Sequence, residues 1–149
     1  MNRRISLMEV TERLQAQLSP SLAVARVGCA LETDFLSAVA DPANWPGVWV
    51  GCQRSTPIDP GDGYTQRVRQ DVRVEIVARV IVAKHADGET NRELPLNDLA
   101  DAVADALIGW RPTYAVVPLV WVSSTDGPAE QSVMTVDLVF STRITYQSS

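Results

Sequence analysis

The chain has 149 residues, 46% of them hydrophobic and 21% charged, with a formal net charge of −5. A chain of this size suits one domain that buries roughly 70% of its unfolded surface, and the composition excludes a disordered polar chain. The acidic balance excludes nucleic-acid binding through a broad basic face, which needs clustered Lys and Arg.

Residues 1–149 read as a single domain, without internal repeat or boundary. The first residues carry no apolar stretch of signal-peptide type, so synthesis in the cytosol is expected. No run approaches the ~20 apolar residues of a membrane span. The two cysteines, Cys29 and Cys52, lack a Cys-rich framework and are expected as reduced, partly buried thiols.

Ile5 to Leu18 is predicted as an amphipathic helix, with Leu7, Val10, Leu14 and Leu18 on one stripe and Ser19-Pro20 as its stop. Leu22 to Cys29 is ambiguous, with Val24, Ala25 and Val27 suiting a short strand. Glu32 to Ala40 suits a short helix carrying Phe35, Leu36 and Val39, ended by Asp41-Pro42. Val48 to Gln53 reads as a strand with Trp49 facing away from Val48, Val50 and Cys52. Ser55 to Gly63 is rich in turn residues and reads as a loop.

Arg67 to Ala83 is the cleanest strand pattern in the chain. Val68, Val72, Val74, Ile76, Ala78, Val80 and Val82 share one face; Arg67, Arg69, Asp71, Arg73, Glu75 and Arg79 share the other. That is period two, a strand with a core side and a polar side. At ~3.3 Å per residue it would span about 50 Å, long for a globular domain. It is followed by a polar loop from Lys84 to Glu93 and a helix from Pro95 to Trp110. Leu96, Leu99, Val103 and Leu107 form the apolar stripe of this helix, and Asp98, Asp101 and Asp105 its acidic face. Ala115 to Ser123 reads as a strand apolar on both sides, in which Pro118 argues for an edge or a bulge. A turn follows from Ser124 to Glu130. Ser132 to Tyr146 is the last strand, with Met134, Val136, Leu138, Phe140, Ile144 and Tyr146 on one face.

Two hairpins joined by a crossing helix make an α+β fold. The expectation is a two-layer sandwich, a four- to five-stranded mostly antiparallel sheet with helices on one face.

No catalytic, metal or cofactor-binding residues are expected. His85 is the only histidine and sits in a polar loop, without the partners of a triad or a metal site. The run Asp59-Pro60-Gly61-Asp62-Gly63 lacks the spacing and terminal Glu of a calcium loop. No phosphate-binding glycine motif is present. The arginine face of the long strand is open to two readings. One is a solvated sheet face with cross-strand pairs to residues such as Asp137. The other is a subunit contact, because Val77 and Ile81 interrupt the charges and the last strand adds Val139. The candidate contact residues are Arg67, Arg69, Arg73, Glu75, Val77, Arg79, Ile81 and Val139. Trp45, Trp49, Trp110 and Trp121 lie near element ends and suit core packing or interface anchoring.

From Gly109-Trp110-Arg111-Pro112 onward the chain resembles a known family. That turn is followed by Pro118-Leu119, a strand, Asp126-Gly127, and a strand containing Phe140-Ser141-Thr142. Upstream, Tyr64-Thr65-Gln66 introduces the strand of alternating Arg and Val. This order is similar to the tail terminator proteins of Mu-like bacteriophages and related prophages, over most of the chain. The Ser55 to Gly63 loop is longer than the resemblance leads one to expect. The resemblance implies a non-enzymatic virion protein of the phage tail, made in the bacterial host cytoplasm. It implies a homo-hexameric ring on the end of the tail tube that stops tube polymerisation and joins the head. The implied partners are further copies of the chain, the tail tube protein and a head-neck or connector protein. DNA would pass through the lumen without specific binding, and Asp59, Asp62, Asp98, Asp101 and Asp105 are candidates for the lumen or the tube contact. The alternatives are another neck or tail-completion protein, or a small ligand-binding or enzymatic α+β domain.

Overall fold

The computed structural model describes residues 4–58, 69–84, 93–127 and 132–147; the side chains of Cys52, Arg69, Glu93, Leu94 and Gln147 lie outside that description. The elements run α1 (Leu7–Gln17), β1 (Arg26–Cys29), α2 (Phe35–Ala40), β2 (Gly47–Pro57), β3 (Arg69–Ala83), α3 (Glu93–Leu107), β4 (Val120–Asp126) and β5 (Val133–Gln147). Among the described residues the strands form one five-stranded sheet in the order β1-β2-β3-β5-β4. β1 runs parallel to β2, and the other pairs are antiparallel. This is the two-layer α+β sandwich that the patterning predicts, with two hairpins joined by α3.

The sheet's alternation decides the layers. Val74, Ile76, Ala78, Val80 and Val82 of β3 are buried with Val48 and Val50 of β2 and Val136, Leu138 and Phe140 of β5. Val10 and Leu14 of α1 and Leu96, Leu99, Val103 and Leu107 of α3 pack into the same core. Burying each such side chain contributes roughly 1.5–3 kcal/mol. α1 starts where the Ser6 hydroxyl accepts from the Glu9 amide at 3.2 Å. It is tied to the far end of α3 by Arg13, which donates to the Ala106 carbonyl at 3.0 Å and lies 5.6 Å from the Trp110 ring centre. α2 is an addition to the one-sided picture. It lies on the opposite face, where Ala38, Trp49, Ile81 and Val133 form a second small core beside Phe35, Val39 and Trp45.

Several boundaries differ from the sequence reading, those of β2, α3 and β4 with consequences for the sheet. β2 does not stop at Gln53. A register shift between Gly51 and Arg54 absorbs the irregularity, and Ser55, Thr56 and Pro57 go on to pair with Val74, Arg73 and Val72. Residues 59–63 of the expected loop lie outside the described residues, as do 85–92 of the next one with His85. α3 ends at Leu107 rather than Trp110, because Gly109 takes a left-handed φ of 84°. β4 starts at Val120 rather than Ala115. Leu119 exchanges backbone hydrogen bonds with the helix-end turn instead of β5, donating to Trp110 at 2.8 Å and accepting from Gly109 at 2.9 Å. Pro118 thus precedes the strand, and β4 is the edge of the sheet, with a bulge between Trp121 and Ser123.

Candidate assembly surfaces

The charged face of β3 divides into a covered half and a bare half. In the covered half, Arg79 donates to both carboxylate oxygens of Asp137 on β5, at 2.7 and 2.9 Å, and its guanidinium sits 4.9 Å from the Phe35 ring centre. Trp49, buried on the same face, donates from its indole N–H to the Thr33 carbonyl at 3.0 Å. The Asp34 carboxylate caps α2 by accepting from the Ser37 amide at 2.7 Å. That backbone bond, seconded by the Ser37 side chain, holds the Asp34 carboxyl below its ordinary pKa.

Among the described residues, no helix packs over the rest of this face. Register places Arg54 opposite Glu75 and Thr56 opposite Arg73 on the β2 side. On the β5 side it places Ser141 opposite Glu75 and Arg143 opposite Arg73. Two exposed arginines therefore stand directly across from each other, an unfavourable cross-strand pair. Glu75 offers Arg73 a loose ion pair at 3.7 Å, with the Arg73 side chain still 55% exposed. Arg73, Ser141 and Arg143 line a groove whose other walls are apolar, from Ile58, Val117, Pro118 and Val120.

Two further surfaces adjoin these. β4 exposes Val120, Trp121 and Val122, each about half exposed, on a strand edge that no other strand pairs with among the described residues. Natural edges are usually blunted by Lys, Pro or inward charge, and β4 has no charge before Asp126. On the opposite layer, α3 exposes Asp98, Asp101 and Asp105 on one stripe and carries no basic residue in its last turn. Among the described residues no cluster of three His, Cys, Asp or Glu gathers at metal-binding distance, and no helix is long and apolar enough to cross a membrane.

Residues 1–148 match the family described as phage tail terminator protein. The chain belongs to that family. It is thereby a structural component of phage tails. No curated protein matches the sequence of this tail terminator family member. Among solved structures, it is similar to a chain of the virion of a native gene transfer agent particle. The TM-score is 0.65 and the identity 20%, over 95% of this chain and 96% of the other. The fold is therefore shared at low sequence identity.

The sequence-derived candidates scatter over this tail terminator fold. Arg73, Glu75, Val77 and Val139 lie on the sheet face, Val77 directly across from Val139. Arg79 is on that face too but is engaged by Asp137 and Phe35. Ile81 requires correction as a contact candidate: it is fully buried beneath α2. Arg67, Asp59 and Asp62 lie outside the described residues, and Arg69 is described only in its backbone, paired with Gln147. Asp98, Asp101 and Asp105 are brought together on α3 and exposed. Arg54 and Arg143 were missed. Both alternate onto the polar side of their strands, but only the register sets them beside Glu75 and Arg73. Of the tryptophans, Trp49 is buried, Trp45 and Trp110 are half-buried, and Trp121 is exposed at the edge. Cys29 is a buried free thiol 3.5 Å from the Met8 sulfur.

Proposed function

We propose that this chain is the terminator subunit itself. Copies form a hexameric ring on the end of the tail tube, stop tube polymerisation and present the joint to the head-neck. The observation that carries this reading is the family match over residues 1–148. The partners are other copies of the chain, the tail tube protein and a head-neck or connector protein. The chain acts by shape and contact, without catalysis.

Two physical features support an assembly role. Apolar side chains stand exposed along the β4 edge, and among the described residues no helix covers one half of the sheet face. Such surfaces are unusual on a lone monomer and suit subunit contacts. A net charge of −5 suits a lumen through which DNA slides without sticking.

The test is a tube assembly assay. Tail tube protein is polymerised with and without this chain, and tube length and end structure are read by electron microscopy. Shortened tubes ending in a six-fold ring are the expected result. Tubes whose length and ends are unchanged by saturating amounts of the chain would overturn the proposal.

A further inference from the structure

We infer that the bare half of the sheet face, centred on Arg73 and Arg143, receives the acidic face of α3 from a second copy of this chain. This deepens the ring reading above and rests on it. Arg73 and Arg143 are directly opposed on adjacent strands, both exposed, with Glu75 loosely paired to Arg73 at 3.7 Å and Asp71 on the same face of β3. Such a pair repels within the monomer, and carboxylates from outside relieve it. Once a partner is seated, the apolar walls of the groove, Ile58, Val117 and Val120, would shield charge pairs formed there from water and so strengthen them.

The complement lies on the chain itself. Asp98, Asp101 and Asp105 are exposed and have no ion-pair partner among the described residues. Their three- and four-residue spacing sets neighbouring carboxylates roughly 5–6 Å apart at the Cβ atoms. The arginines stand on adjacent strands about 4.8 Å apart. The two patches therefore match in charge and in pitch. α3 packs on the apolar side of the sheet, whereas Arg73 and Arg143 lie on the other side. The patches differ and sit on opposite layers, so their contact is head to tail, the type that generates a ring when the rotation closes. This assigns the acidic face of α3 to the joint between subunits rather than to the lumen.

The experiment uses two full-length charge-reversed chains, R73E/R143E and D98R/D101R/D105R. Each is measured alone and mixed in equal amounts, on tail tubes and free in solution, by native mass and sedimentation, with thermal melts as folding controls. Each variant alone repels its own copy, and its ring formation is expected to weaken by about tenfold or more. The mixture restores ring formation, because each variant now offers the other an opposite charge at every joint. Wild-type contact should also weaken as salt rises. If either folded variant assembles alone as well as wild type, or if the mixture does not recover, the inference is overturned while the terminator reading stands. If wild type neither self-associates nor caps tubes, both fall together.

Discussion

Arg79 on β3 and Asp137 on β5 face each other across the sheet and form a two-pronged ion pair at 2.7 and 2.9 Å. Each side chain is 25% exposed, and Phe35 of α2 lies against the guanidinium. The pair therefore fastens three elements at once. Asp137→Ala removes the two-pronged partner of the largely covered Arg79, and is expected to cost about 1–2 kcal/mol in chemical denaturation. Arg79→Lys keeps the charge but loses the fork geometry and the ring contact, and should recover only part of that loss. An unchanged denaturation midpoint in D137A would show the pair to be ornamental.

Gly28 faces the ring of Trp49. A Cβ added there would sit inside the van der Waals radius of the ring carbons. Trp49 cannot retreat easily, since its N–H is bound to Thr33 and Arg26 lies 5.5 Å from its ring centre on the solvent side. Gly28→Ala should therefore destabilise by roughly 1–3 kcal/mol through overpacking. Trp49→Ala should cost roughly 3–5 kcal/mol by leaving a cavity. Trp fluorescence during urea unfolding measures the first, and circular dichroism the second.

Gly109 presents a different case. Nothing lies within 4 Å of where its Cβ would stand, but its φ is 84°. Gly109→Ala is a test of backbone conformation alone, with an expected cost of about 1–2 kcal/mol. A stability change near zero would mean that the turn after α3 relaxes to another conformation.

The capped start of α2 carries a pH dependence. Asp34 has a lowered carboxyl pKa in the folded chain because the ionised form accepts from the Ser37 amide. The stabilisation is thus fully present above the ordinary carboxylate pKa. It is lost as the pH falls through the lowered folded value. Amide exchange over residues 35–40, followed from neutral pH downward, should show α2 loosening at the acid end. Asp34→Asn should remove that pH dependence while keeping a capping oxygen; an identical acid profile in D34N would assign the effect to another group.

The β4 edge is open to a surface test. Val122 sits at the bulge and is 49% exposed. Val122→Lys should leave monomer stability within about 0.5 kcal/mol. It should lower concentration-dependent association measured by light scattering, because a charged edge resists strand addition. Equal association in the variant would remove this edge from the contact surfaces.

Most of the fold was legible because strand patterning is local. Every second residue of β3 from Val72 to Val82 is apolar, so its core side was readable, and Asp137 could be named as a cross-strand partner. α1 and α3 announced themselves through apolar stripes. The assembly surface was only half legible, since it depends on register and on what lies overhead. Ile81 has the same parity as the charged residues, yet six residues of α2, Phe35 to Ala40, bury it. Such a short helix gives no sequence sign of which face it will choose. Arg143 becomes notable only when pairing sets it against Arg73, across a gap in sequence that contains all of α3 and β4.

That same gap governs how the chain reaches its native state. The β2–β3 and β4–β5 hairpins join strands that follow one another in sequence, so each can close early and independently. The seam between β3 and β5 must wait for a long loop to be closed, and it runs the full length of both strands. Folding should accordingly be slow for a chain of this length and sensitive to the seam's centre, where Ile76 meets Phe140. During synthesis β5 leaves the ribosome after β3, α3 and β4, so the middle of the sheet is completed only once β5 has emerged.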